Sequence, residues 1–164
     1  MITIRNATQN DVPALLDIYN YAVRNLTAIF ETKEQTLKER LQWFHIFGRR
    51  YPLLVAESNG KVVGYSCLTP YSEKTGYNRT SEISVYISPE HQGKGIGNLL
   101  MKELIRLAEE KGFHAIIAAI SGGNETSVKL HKKYGFVYAG CLKEAGWKFD
   151  EWHDVHYYQL LLNK

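Results

Sequence analysis

Arg79-Thr80-Ser81-Glu82-Ile83-Ser84-Val85-Tyr86-Ile87-Ser88, followed by Pro89-Glu90-His91-Gln92-Gly93-Lys94-Gly95-Ile96-Gly97-Asn98-Leu99-Leu100, is the stretch on which the fold turns. Its first half alternates. Glu82, Ser84 and Tyr86 fall on one face of an extended chain and Ile83, Val85 and Ile87 on the other, as in a strand between two different surroundings. Pro89 has no amide hydrogen to give a ladder and stops the strand. Beyond the glycines, Leu100, Leu104, Leu107 and Ala108 recur at helical spacing toward Gly112, which predicts an amphipathic helix. A strand, a turn of small residues and a helix start in that order suit an anion. The first amides of a helix have no internal partner and lie at the positive end of its dipole, and glycine lets a ligand come close to them.

Two phosphate loops fail on spacing. A P-loop needs Gly-x-x-x-x-Gly-Lys-Ser/Thr, but Asn98 and Leu99 follow Gly97. A dinucleotide fingerprint needs Gly-x-Gly-x-x-Gly after the first strand of a βαβ unit, whereas these glycines are spaced Gly-x-Gly-x-Gly and lie past mid-chain. A tight turn that holds no ligand stays open at this point.

Upstream, Thr3 to Arg5 opens a strand, and Thr8 to Asp11 leads into a helix from about Asn10 to Asn25 carrying Val12, Leu15, Leu16, Ile18, Tyr19 and Val23. Thr36 with Glu39 forms a capping box for a second helix, Leu37 to Phe47. Leu53 to Ser58 and Lys61 to Thr69 flank Asn59-Gly60 and read as a hairpin, with a polar loop from Tyr71 to Asn78. Downstream, His114 to Ile120 is an almost unbroken apolar run, the pattern of a strand buried on both faces. Asn124 then caps a short helix, Thr126 to Tyr134, ended by Gly135, before strands Phe136 to Lys143 and His153 to Leu162. The expected class is α/β (α+β): a mixed, mostly antiparallel central sheet flanked by helices.

Composition narrows the partners. The chain has 164 residues with 45% hydrophobic, which suits one domain over residues 1–164. A net charge of +3 is too small for a general nucleic-acid or membrane-surface binder. No apolar run approaches the ~20 residues that span a bilayer, and Met1 to Gln9 has no leader-like pattern. Cys67 and Cys141 fit two reduced thiols and a cytoplasmic protein. His153 and His156 are not expected to share a metal, because residues three apart on a strand point to opposite faces.

Gln92-Gly93-Lys94-Gly95-Ile96-Gly97 resembles the Gln/Arg-x-x-Gly-x-Gly/Ala signature of the GNAT N-acetyltransferase superfamily, and the element order from Ile4 to Leu162 is similar throughout. Three stretches, Arg79 to Ile87, Ser127 to His131 and Gly146 to Val155, are similar to the phosphinothricin and methionine sulfoximine N-acetyltransferases. The resemblance implies a GNAT-type acyl-CoA fold, with acetyl-CoA as acetyl donor and no metal. It also implies acetylation of the amino group of a small amino-acid-like substrate, in a homodimer with the active site near the subunit interface. Another amine acceptor, such as a polyamine or a protein N-terminus, and a non-catalytic acyl-CoA-binding module are the alternatives.

An ammonium has no lone pair to attack with, so a base must take its proton. Glu82 matches the family's proposed base; the other reading is a solvated strand carboxylate or an ion pair with Arg79. The resemblance implies a bulge in this strand that frees backbone at Val85, Tyr86 and Ile87 for the cofactor. It implies a pyrophosphate grip by Gln92, Gly93, Lys94, Gly95, Ile96, Gly97 and Asn98, and a cofactor contact at Asn124. His131 stands where many superfamily members place a Tyr as proton donor to the leaving thiolate; a polar helix-face histidine or a cofactor contact are its other readings. Tyr134 reads as packing. Tyr71, Lys74, Tyr77 and Arg79 lie where these enzymes recognise substrate, Phe30 and Glu31 resemble the pocket wall, and Trp147 and Lys148 are expected at the dimer seam.

Overall fold

The computed structural model describes residues 1–162. In chain order its elements are β1 (Ile2–Asn6), α1 (Val12–Asn25), α2 (Leu37–Phe44), β2 (Leu53–Ser58), β3 (Lys61–Pro70), β4 (Thr80–Ile87), α3 (Ile96–Glu110), β5 (Ala115–Ser121), α4 (Glu125–Lys133), β6 (Val137–Lys148) and β7 (Glu151–Leu161). The strands form one seven-stranded sheet in the order β1-β2-β3-β4-β5-β7-β6. Every neighbouring pair is antiparallel except β4 and β5, so the sheet is mixed and mostly antiparallel as expected.

Local chemistry sets most of the boundaries. Asn59 and Gly60 both have positive φ, 52° and 76°, the turn whose twist matches a two-residue hairpin between β2 and β3. The Thr36 hydroxyl accepts from the Glu39 amide at 3.2 Å and the Glu39 carboxylate accepts from the Thr36 amide at 2.9 Å, closing the capping box of α2. That helix ends at Phe44, not at Phe47: the amides of His45, Ile46 and Phe47 bond carbonyls three residues back, so the chain tightens out of the α form. α1 is preceded by a 3-10 turn, Gln9–Asp11, and begins at Val12. Arg5 bonds the Asp11 carboxylate at 2.8 and 2.9 Å and Glu57 at 2.8 Å, tying that turn to the sheet edge.

The final hairpin is longer than the sequence suggested. β6 continues past Lys143 to Lys148, and β7 starts at Glu151 rather than His153. Its turn uses Phe149 and Asp150 at φ 55° and 58°, two non-glycine residues that leave no sequence mark of a tight turn. The ladder slips between Leu142 and Gly146, around Glu144 at φ 50°.

Core side chains pack on both faces of the sheet. On one, Leu54, Leu68, Ile83 and Ile116 meet Leu100, Met101 and Leu104 of α3. On the other, Leu53, Val55, Tyr65 and Cys67 meet Leu15 and Ile18 of α1. Burying each such aliphatic side chain is worth about 1.5–3 kcal/mol. The packing therefore pins α1 and α3 to opposite faces of β4. Among the described residues, no helix is long and apolar enough to cross a membrane.

Candidate active site

β4 pairs with β5 only from Thr80 to Glu82, against Ala115 to Ile117, although both strands run on. Beyond Glu82 they part. The fork opens into a groove of about 810 Å³, lined by Glu82, Val85 and Ile87 on one side, Ala118 to Asn124 on the other, and the starts of α3 and α4. Against β3, by contrast, β4 is in unbroken register from Ser81 to Ile87. No bulge interrupts that ladder. The free backbone comes from the parting of two parallel strands.

Two bonds show which backbone groups are free. The Ser88 amide donates to the Val63 carbonyl at 2.9 Å, so even-numbered residues of β4 face β3. The Arg79 carbonyl accepts from the His114 amide at 2.8 Å, so odd-numbered residues face β5. Val85 and Ile87 therefore turn their backbone into the fork. Tyr86 does not: its backbone faces β3, and its ring packs 5.3 Å from the ring of Tyr65, where burial pushes its phenol well above the ordinary range. Of the three expected positions, Val85 and Ile87 turn their backbone to the fork and Tyr86 turns its backbone to β3, though Tyr86 still lines the groove. The Gln92 amide group donates to the Ile87 carbonyl at 3.4 Å, joining the loop to the strand it follows.

The glycines divide the work. Gly93 and Gly95 have φ 76° and 79° with open space where a side chain would stand, so the left-handed turn itself demands glycine. Gly97 is helical; a Cβ there would lie 3.3 Å from Leu130 Cδ2, so its smallness lets α3 approach α4. Gln92, Gly93, Gly95, Ile96, Gly97 and Asn98 line the groove, whereas Lys94 lies outside its lining. Lys133 donates to the Asn98 side chain at 2.7 Å and the Tyr134 hydroxyl to the Asn98 carbonyl at 3.1 Å, which makes Tyr134 a strut between α4 and α3.

Glu82 sits at the vertex of the fork, on the α1 face of the sheet, half-buried. Burial raises its carboxyl above the ordinary carboxylate range. Among the described residues it has no ion-pair partner, because Arg79 turns away and donates to the Gly112 carbonyl at 3.1 Å. A half-desolvated, unpaired carboxylate beside a groove is suited to taking a proton.

His131 is 5% exposed, and its Nδ1 lies 2.7 Å from the Ser127 carbonyl. A carbonyl only accepts, so Nδ1 carries the hydrogen, while burial lowers the imidazole below its ordinary value. The bond selects the Nδ1–H tautomer of the neutral ring, in which Nε2 carries the lone pair, and burial favours that neutral form. Asn124 Oδ1 accepts from the Ser127 amide at 3.2 Å and caps α4, so a groove ligand would meet the other end of that amide.

None of the residues expected to bind the amine substrate lines this groove. Tyr71 and Tyr77 face each other at 5.3 Å in the loop that follows Pro70, which pairs with Ser81 beside Glu82. Lys74 lies in that same loop, its amide on the Ser72 hydroxyl at 3.3 Å. Phe30 stacks over Gly146, where a Cβ would fall 2.5 Å from its ring, and Glu31 follows it. Trp147 is exposed beside Trp152, rings 4.9 Å apart. Lys148 is buried within the chain itself. It is 3% exposed, with its ammonium on the carbonyls of Ala22, Leu26 and Ile29.

Other residues enter without a sequence signal. Leu26, Thr27 and Ala28 wall the groove on the α1 face, and the Thr27 and Ser121 hydroxyls meet at 3.0 Å across 94 residues of chain. Lys129 and Lys133 add cations to the lining. On the outer hairpin, Cys141, Asp154 and His156 bring ligand atoms within 4.8 Å of one another, but Asp154 accepts from the Glu144 amide and His156 meets the Tyr138 hydroxyl. His153 is elsewhere, on the Lys148 carbonyl at 3.0 Å.

The chain is similar in sequence and in fold to known proteins. Residues 15–136 match the model of the acetyltransferase (GNAT) family. The chain is 39% identical over 163 residues, 98% of its own length and 95% of the relative's, to the L-methionine sulfoximine/L-methionine sulfone acetyltransferase of Pseudomonas aeruginosa. It superposes with a TM-score of 0.95 at 35% identity, covering 99% of this chain and 89% of the other, on a phosphinothricin acetyltransferase from Sinorhizobium meliloti in complex with acetyl-CoA. A ribosomal-protein-alanine N-acetyltransferase from Brucella melitensis superposes with a TM-score of 0.95 at 43% identity, covering 98% and 99% of the two chains. With a family model over most of its length and relatives matched end to end, the chain belongs to the GNAT acetyltransferase family.

Proposed function

We propose that this protein moves the acetyl group of acetyl-CoA to the amino group of a small amino-acid-like substrate, with Glu82 as the base. The observation that carries the reading is the half-buried, unpaired Glu82 at the vertex of a fork whose other end is a glycine-led helix start. Acetyl-CoA, when bound, supplies the activated acetyl thioester. The residues present fit it. Left-handed Gly93 and Gly95 set the open amides at the start of α3 toward an anion, and Gln92, Ile96, Gly97 and Asn98 complete that end. The backbone of Val85 and Ile87 is turned into the fork to pair with an extended amide chain and to polarise a carbonyl. Asn124 faces the same groove.

Glu82 takes the ammonium proton, directly or through a water. His131, held neutral, serves as an acceptor and as packing beside Phe136, 4.9 Å away, rather than as an acid. A thiol with an ordinary pKa of about 8.5 leaves as thiolate with little help, so the chemistry does not require that acid. Substrate recognition falls to the loop holding Tyr71, Lys74, Tyr77 and Arg79 and to the wall at Phe30 and Glu31. The relatives named for methionine sulfoximine and phosphinothricin support an amino-acid-like acceptor. The Brucella relative's name keeps a protein N-terminus as the second reading.

A homodimer fits the long outer strand β6, which exposes Val137, Tyr138 and Leu142, with Trp147, Phe149 and Trp152 at the end of its hairpin. Two free thiols, Cys67 buried and Cys141 half-buried, suit the cytoplasm.

The test is release of free thiol from acetyl-CoA with methionine sulfoximine, phosphinothricin, plain amino acids, a polyamine and an alanine-terminated peptide side by side. Preference for the small amines bearing a carboxylate is expected. Preference for the peptide or the polyamine overturns the acceptor assignment, and binding without turnover by any amine overturns the enzymatic one.

A further inference from the structure

Lys148 is the last residue of β6, yet its ammonium is buried at the end of α1. It donates to the Ala22 carbonyl at 3.3 Å and to the Leu26 and Ile29 carbonyls at 2.6 Å each. An ammonium has three hydrogens, and all are spent there. The Ala22 carbonyl is shared with the Leu26 amide at 2.9 Å, whereas Leu26, the C-cap of α1, and Ile29 beyond it lie past the helix end, at the negative end of its dipole, where a cation is favoured. In α1 that cation comes from a hairpin 122 residues away in sequence from Leu26. Burial lowers the Lys148 ammonium below its ordinary value, and nearby Glu31 opposes that shift.

The carbonyls it holds bracket Leu26, Thr27 and Ala28, which wall the groove on the face where Glu82 stands. The same segment has two further ties. Thr27 meets Ser121 at 3.0 Å, and Phe30 lies against Gly146, whose lack of a side chain is what admits the ring. An irregular segment beside a reacting group needs such support, because misplacing a reactant by about 1 Å can cost on the order of a hundredfold in rate.

We propose that Lys148 is a positioning residue for the amine side of the reaction: by capping α1 and binding Leu26 and Ile29 together, it holds the 26–30 segment at the distance from Glu82 that the acceptor requires. The inference rests on the acetyl-transfer reading. It assigns Lys148 no contact with substrate and no part in gripping acetyl-CoA, whose anion end lies at α3.

The experiment compares the full-length wild type with Lys148→Met, which keeps the length and loses every donor, and Lys148→Gln, which keeps donors without the charge. Lys148→Met is expected to raise the amine KM or lower kcat/KM for the amine by about tenfold to a hundredfold. Its acetyl-CoA KM is expected to stay within about twofold, with Lys148→Gln intermediate. Amide hydrogen exchange should quicken at residues 22–31 and stay unchanged in α3. If Lys148→Met does not fold, Lys148→Gln carries the test alone. Unchanged amine kinetics in a folded variant overturns the proposal, as does an equal loss toward both substrates. Should the wild type acetylate none of the amino-acid amines, the functional reading fails by itself, and the exchange pattern still reports whether Lys148 clamps the segment.

Discussion

At the residue scale, the decisive quantity is the state of Glu82. Its carboxyl is raised by burial, so in the proposed role of base it becomes competent only when pH rises through that elevated value. The acid limb of the amine kcat/KM profile should therefore stand above the ordinary carboxylate range. Glu82→Gln should lower turnover by about tenfold or more and erase that limb, read by free-thiol release across pH. The same shift has a signed effect on stability. A group whose folded pKa exceeds its unfolded one binds more protons when folded, so its contribution falls as pH rises between the two values. Urea unfolding from about pH 4 to about pH 8 should show wild type losing stability relative to Glu82→Gln as pH rises through that window. An unchanged gap would remove the desolvated carboxylate from the account.

At the element scale, the turn before α3 is where backbone and ligand meet. Gly95→Ala forces a side chain into a left-handed conformation and should cost about 1–2 kcal/mol, while raising the acetyl-CoA KM. Gly112, at φ 80° beyond the far end of α3, is the matched control. Gly112→Ala should cost a similar amount in thermal unfolding and leave the acetyl-CoA KM unchanged; a KM change for both, or for neither, would deny the turn its role. α3 itself is held by burial, so Leu104→Ala, at a fully buried position, should cost about 2–5 kcal/mol in denaturant unfolding. The helix pattern of Leu100, Leu104 and Ala108 was legible because amphipathic spacing is local. The end of α2 and the turn at Phe149-Asp150 were not legible, because non-glycine residues there take tight conformations that their neighbours impose.

At the scale of the whole molecule, the sheet ends on β6, a strand of 12 residues with an unpaired edge and exposed aromatic and aliphatic side chains. Such an edge invites pairing unless something covers it. If a second copy does, Leu142→Lys, at a position 53% exposed, should shift light scattering from dimer to monomer without lowering the unfolding temperature of the isolated chain. A wild type that is monomeric at working concentration would contradict the homodimer.

Sequence alone determined most of the elements, the glycine turn and the capping residues, because strand alternation, helix spacing and turn chemistry are properties of neighbours along the chain; the candidate base came from the family resemblance. Only the tertiary structure decided how those parts make a site. The parting of β4 from β5 after Glu82 is a matter of pairing between strands distant in sequence, and it leaves the backbone of Val85 and Ile87, rather than that of Tyr86, facing the fork. The bias of His131 toward its neutral form comes from a carbonyl one turn away and from burial no local pattern announces. Lys148, which the resemblance placed at a dimer seam, caps α1 because folding brings it to carbonyls more than a hundred residues distant, where the dipole and burial among them favour an ammonium.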